Sequence, residues 1–168
     1  KSFVLADGME VRNASLENGL LHVDLVAEMG FGHADLIVAI PASWVDVEHA
    51  SDLDAVAAQF RARHGMPLRV ATKYHALSRR WFKANGVADY RLVDSQGATE
   101  GVVRNEAAEA IVDITSTGET LRANHLRILS GEPILRSQAT LWRSLAARRG
   151  PAAEAALEEL EARASRDA

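Results

Sequence analysis

Leu21, Val23 and Leu25 alternate with His22, Asp24 and Val26, giving one apolar face and one mostly polar face. That period of two predicts a half-buried strand. It closes a β-rich opening of three short extended runs, "KSFVLAD", "MEVRNASL" and "GLLHVDLV". Asp7-Gly8 and Asn18-Gly19 punctuate them, and the second pair is a strong hairpin signal. From Gly30 the pattern changes. "ADLIVAIP" is continuously apolar, as expected of a strand covered on both faces. Leu53, Val56, Ala57 and Phe60 then fall at helical spacing, with Ser51 and Asp54 as the start signal and Gly65 as the stop.

A strand–helix rhythm follows. "LRVAT" leads to a helical "LSRRWFKANG", "YRLVD" to the short "ATEGVVRNEAA", and "AIVDI" through a polar stretch to "ETLRANHL". Strands alternating with short helices predict an α/β fold with a mostly parallel sheet. "PILRSQATLWRSLAARR" reads as a strand and a helix, and "PAAEAALEELEARAS" as a last helix with proline in its first turn. The expected organisation is a β segment over 1–28, an α/β unit over 29–130, and a returning strand with C-terminal helices over 131–168.

Composition narrows the chemistry. The 168 residues are 48% hydrophobic and 25% charged, an ordinary globular balance. A net charge of −4 argues against a charge-driven grip on nucleic acid. The absence of cysteine removes disulfides, thiolate metal sites and cysteine nucleophiles. No apolar run reaches the ~18 residues of a membrane helix and no leader pattern precedes the first strand, so a cytoplasmic protein is expected. The six histidines, 22, 33, 49, 64, 75 and 125, include no pair at helical zinc spacing. The tryptophans at 44, 81 and 142 are too scattered for a base-stacking platform.

The stretch "AIVDITSTGETLRAN" carries the most chemistry. An apolar strand ends at Asp113 and Ile114, and Thr115, Ser116, Thr117, Gly118, Glu119 and Thr120 lead toward a helix. Ligands in open α/β sheets bind beyond the carboxyl ends of the strands. A glycine there lets backbone N–H groups converge, hydroxyls add donors, and a helix start adds positive potential. The result is a phosphate cradle, with Asp113 placed to accept from sugar hydroxyls or to help hold a metal ion. The alternative is an ordinary strand-to-helix turn capped by threonine.

"VDITSTGETLRANHLRIL" resembles the phosphoribosyl-diphosphate (PRPP) loop of ATP phosphoribosyltransferases, the first enzymes of histidine biosynthesis. "GFGHADLIVAIP", "LRVATKYHALSRRWF", "GVADYRLVDSQGATEG" and "ILRSQATLWRSL" resemble other segments of that family, in its order, over residues 29 to 147. The resemblance implies a periplasmic-binding-protein-like α/β unit that takes PRPP and ATP. By the likeness, Asp113 would meet the ribose hydroxyls with Mg2+ nearby, and residues 115 to 120 would enclose the 5′-phosphate. Lys73, Tyr74, Arg79 and Arg80 would lie in or near an element where cations face nucleotide phosphates; the alternative for the charges other than Lys73, which directly follows a strand, is a solvated helix face. Glu100 would approach the ribose, or serve as a helix-start carboxylate. The likeness is to the short form of the family, which implies a separate regulatory subunit related to histidyl-tRNA synthetase.

"KSFVLADGMEVRNASLENGLLHVDLV" resembles instead the end of the α-crystallin domain of bacterial small heat-shock proteins. The chain therefore reads as a chimera of two families, without the basic N-terminal part of the first that binds ATP. Ile134, Leu135, Leu141, Trp142 and Leu145 would then return to a missing partner and need cover from the β segment, the last helix or a second copy. A homo-oligomer is expected on that ground. Three functions stay open: the transferase reaction, a non-catalytic PRPP or phosphate-binding module, and a purely structural chimera.

Overall fold

The computed structural model describes residues 13–14, 23–95, 99, 101–104, 107–145 and 148–167. In chain order its elements are β1 (Asn13–Ala14), β2 (Val23–Glu28), β3 (Ala34–Pro41), α1 (Ala50–His64), β4 (Leu68–Thr72), α2 (His75–Ala84), β5 (Tyr90–Asp94), α3 (Gly101–Arg104), β6 (Ala110–Thr115), α4 (Glu119–Ala123), β7 (Leu126–Ile128), β8 (Leu135–Ser137), β9 (Thr140–Ser144) and α5 (Pro151–Asp167). They form two compact units, Ala34–Arg136 and the pair of segments Lys1–His33 and Ser137–Ala168.

The central unit is a mixed sheet in the order β5-β4-β6-β3-β7, with β8 also pairing β3. β4 runs parallel to both β5 and β6, while β3 runs antiparallel to β6 and to β7. Four of these five strands therefore point the same way, and β3 is the exception. β4 lies inside the parallel run, and Leu68, Val70, Ala71 and Thr72 along it are fully buried. This two-sided burial is why the strand sequences read as apolar runs rather than alternations.

Each face has its own core. Leu36, Val38, Ile40, Leu68, Val70 and Val112 meet Leu53 and Ala57 of α1 and Leu77 and Phe82 of α2. Ile37, Ala39, Ala71 and Ile111 meet Leu121 of α4, with Val102 and Val103 of α3 alongside. Phe82 stacks on Tyr90 at 4.3 Å between ring centroids, anchoring α2 over the start of β5. α1 starts two residues earlier than the Ser51–Asp54 signal implies. Its cap is His49, and Asp52 Oδ2 accepts the N–H of His49 at 2.8 Å and of Glu48 at 3.0 Å. Asp54 instead accepts the Ala88 N–H at 3.0 Å. Gly65 ends α1 in the left-handed region, φ 69°, with its N–H on the Arg61 carbonyl.

The second unit corrects one sequence expectation. The helix read into "PILRSQATLWRSLAARR" is not formed among the described residues; Leu135–Ser137 and Thr140–Ser144 are both strands. β9 pairs antiparallel with β2, setting Asp24 opposite Arg143, Leu25 opposite Trp142 and Ala27 opposite Leu141. Leu141 and Trp142 are half-buried in this pairing, whereas Leu145 remains 45% exposed. Ile134 and Leu135 pack on the first core of the central unit. Arg143 joins three elements, bonding Asp24 of β2 at 2.8 Å and Glu161 of α5 at 3.1 Å. These two carboxylates hold its guanidinium pKa above the ordinary value. The Asn18-Gly19 hairpin signal lies outside the described residues.

Candidate functional site

The parallel strands β4 and β5 end side by side at Thr72 and Asp94, and β6 runs from the level of Thr72, at Val112, three residues further to Thr115. β3 runs the other way, so its first residues arrive at the same edge, and Asp35 is the register partner of Thr115. The connections after β4, β5 and β6 therefore gather along one sheet edge, where open α/β sheets bind ligands.

The 115–120 loop is built by its own side chains. The Gly118 N–H donates to Thr115 Oγ1 at 3.0 Å, and the Glu119 N–H to Thr117 Oγ1 at 3.3 Å. Each hydroxyl oxygen accepts a loop N–H and keeps its O–H free to donate. Gly118 caps α4 at φ 71°, a left-handed conformation that side chains rarely adopt. It is buried under the turn, while Ser116, Thr117, Glu119 and Thr120 are exposed. The loop thus presents hydroxyls and a carboxylate to solvent from a tightly held backbone.

Asp113 sits one step inside this loop. Its Oδ1 accepts the Ile114 N–H at 2.8 Å and lies 3.7 Å from Lys73 Nζ. Lys73 in turn lies 5.4 Å from the Tyr74 ring centroid. Burial pushes the Tyr74 phenol above its ordinary pKa; the Lys73 ammonium pulls it down and the Asp113 carboxylate pushes it further up. Lys73, Tyr74 and Asp113 therefore form one electrostatic neighbourhood where β6 passes into the loop.

Arg79 and Arg80 are both exposed on α2, and the charge of Arg79 acts on the Tyr90 phenol, at the first residue of β5 and the far end of that strand. Glu100 lies outside the described residues. Three groups join the edge without having been singled out from the sequence. Thr72 Oγ1 accepts the Tyr74 N–H at 2.9 Å, shaping the exit from β4. Ser95 and Thr99, both buried, share a 3.1 Å hydroxyl bond, and the Ser95 N–H reaches the Thr72 carbonyl at 3.2 Å. The available signal was a hydroxyl residue at or just past the end of an apolar strand, repeated at Thr72, Ser95 and Thr115. Among the described residues no group of three or more His, Asp or Glu side chains could hold a metal ion.

Fold and edge define an α/β domain with a glycine- and hydroxyl-rich strand-to-helix loop at its carboxyl edge. The family described as HisG: ATP phosphoribosyltransferase matches residues 8–164, and the chain belongs to this family of histidine biosynthesis. The match is wider than the 29–147 stretch that carries the motifs, and takes in most of the 1–26 segment likened to small heat-shock proteins. An ATP phosphoribosyltransferase of Cereibacter sphaeroides is 59% identical over 149 residues, 89% of this chain and 62% of that protein. One from Rhizobium meliloti is 51% identical over 138 residues, 82% of this chain and 60% of that protein. The chain thus spans about three-fifths of these relatives' length.

Among solved structures, the ATP phosphoribosyl transferase (HisG:HisZ) complex from Thermotoga maritima matches with a TM-score of 0.57 at 22% identity, over 86% of this chain and 61% of that one. A mutant of ArgBP from T. maritima matches with a TM-score of 0.50 at 14% identity, over 86% and 55%. The fold is accordingly a mixed α/β, periplasmic-binding-protein-like one, followed by a C-terminal helix.

Proposed function

We propose that this chain supplies the PRPP-binding part of an ATP phosphoribosyltransferase. In the reaction, N1 of the adenine of ATP bonds to C1′ of PRPP, the bond from C1′ to the diphosphate oxygen breaks, and pyrophosphate leaves with phosphoribosyl-ATP as the other product. The observation that carries the reading is the convergence of Asp113, Lys73 and the Gly118 turn at one strand edge. The loop donors would hold the 5′-phosphate, and Asp113 would accept from the ribose hydroxyls. Rate enhancement would come from orientation and from stabilising charge as the diphosphate departs.

A Mg2+ ion fits this site only as a companion of the ligand. Asp113 is a single carboxylate already engaged by Lys73, too few protein oxygens for a resident cation. An ion bound to the diphosphate would take its oxygens from phosphate and water, with Asp113 reaching it through water. ATP contacts and a separate regulatory subunit of the kind named in the T. maritima complex belong to the same reading. No helix among the described residues is long and apolar enough to cross a membrane, consistent with a cytoplasmic reaction.

A second reading, in which the loop binds PRPP without turnover, rests on the same convergence of Asp113, Lys73 and the Gly118 turn. Calorimetric titration with PRPP and Mg2+, with ribose 5-phosphate as comparison, tests what the two share. Saturable binding lost in Asp113→Asn and Gly118→Val supports both, and product formation with ATP then selects the first. Flat titrations to millimolar ligand contradict both.

A further inference from the structure

β4 and β6 are paired in parallel with Thr72 opposite Val112. The next residues out are Lys73 and Asp113. Ala71 and Ile111 point into the second core, so two residues further along Lys73 and Asp113 emerge on that same face. The two charges differ in freedom. Asp113 is 16% exposed and held by the Ile114 N–H, whereas Lys73 is 49% exposed on a flexible four-carbon stem. At 3.7 Å their contact is an ion pair longer than an ordinary hydrogen bond. The Tyr74 ring, 5.4 Å away, keeps the ammonium near the edge without binding it tightly.

We propose that Lys73 is a counter-charge that changes partner and thereby makes this site select a diphosphate. The inference rests on the phosphoribosyl reading above. While the sugar position is empty, Lys73 neutralises Asp113. When ribose hydroxyls bond to Asp113, they take over the carboxylate and the ammonium is released. PRPP offers the released ammonium a diphosphate at the other end of the same sugar. Ribose 5-phosphate offers none, so its binding removes an ion pair and replaces it with nothing for Lys73. Selectivity arises because one cation serves two anions in turn, and only one ligand carries the second.

The experiment is a calorimetric comparison of the full chain with Lys73→Met and Lys73→Arg, each titrated with PRPP and with ribose 5-phosphate in Mg2+. The unaltered chain prefers PRPP. Lys73→Met loses about ten- to a hundred-fold in PRPP affinity, the loss of one charged hydrogen bond. It binds ribose 5-phosphate at least as tightly as before, because no ammonium must be displaced from Asp113. Lys73→Arg retains the preference. Equal losses for both ligands in Lys73→Met, or no loss for PRPP, overturn the partner exchange and leave the phosphoribosyl reading intact. Failure of the unaltered chain to bind either ligand removes that reading and the inference with it.

Discussion

The Gly118 N–H donates to the Thr115 hydroxyl across 3.0 Å, folding the loop back over the end of its own strand. The bond requires Gly118 at φ 71°, where an added Cβ would sit 3.2 Å from Arg122 Nη1. That neighbour is the far end of a flexible side chain and can move, so the cost of a side chain here is mainly backbone strain. Gly118→Ala should lose about 1–2 kcal/mol of stability, read by urea denaturation with an unchanged slope. A loss near zero would mean that the left-handed turn is not required.

Thr115→Val keeps the side-chain volume and removes the acceptor. The Gly118 N–H, buried under the turn, then has no partner, a loss of about 1–3 kcal/mol. The specific readout is hydrogen exchange. The Gly118 amide should exchange faster in the variant while amides of β4 keep their protection. Unchanged exchange at Gly118 would show that the hydroxyl does not hold the turn.

At the opposite edge of the sheet, Glu109 clamps the start of β4 to the start of β6. It accepts the Arg69 N–H at 2.8 Å and bonds the Arg69 guanidinium through Nε at 3.0 Å and through Nη2. The pair is largely shielded, with side chains 24% and 14% exposed. Glu109→Ala should cost about 1.5–3 kcal/mol in thermal or urea unfolding and leave phosphate-ligand affinity unchanged. A large affinity loss in folded protein would mean that the two sheet edges are coupled.

Asp52 gives the start of α1 a pH signature. The N–H groups of His49 and then Glu48 hold its carboxyl below the usual 3.8. A depressed folded value stabilises the fold above the unfolded value, and that contribution is lost as pH falls through the folded one. Asp52→Ala should therefore melt lower than the parent at pH 7, with the gap closing as pH drops below 3.8. A gap that persists unchanged to pH 2 would assign the effect to something other than the carboxylate charge.

Much of the central unit was legible because β3, β4 and β6 are buried on both faces and read as short apolar runs with glycine or hydroxyl stops. The turn after β6 was legible for the same reason, since Gly118 and the hydroxyl residues before it end the apolar run ahead of α4. The reversed direction of β3 was not, since "ADLIVAIP" packs equally well either way and its pairing is set by β6 and β7. Thr140–Ser144 misled because "TLWRSL" has apolar residues at 141, 142 and 145, which also fit a helix; pairing with β2 decides for a strand. The place of Arg79 was not legible either: its charge acts on Tyr90 at the start of β5, while Lys73 stays by the end of β4 and pairs with Asp113.

The central claim is that the 115–120 loop cradles a phosphate. The most direct test is to follow backbone amide resonances of the 15N-labelled chain while adding ribose 5-phosphate and then PRPP with Mg2+. The account predicts saturable shifts concentrated at Ser116, Thr117, Gly118, Glu119 and Thr120, with Lys73 and Asp113 responding alongside. Saturable shifts located elsewhere, such as the 640 Å³ groove of Trp44, Phe60 and Arg63, or no shifts at all, would contradict it.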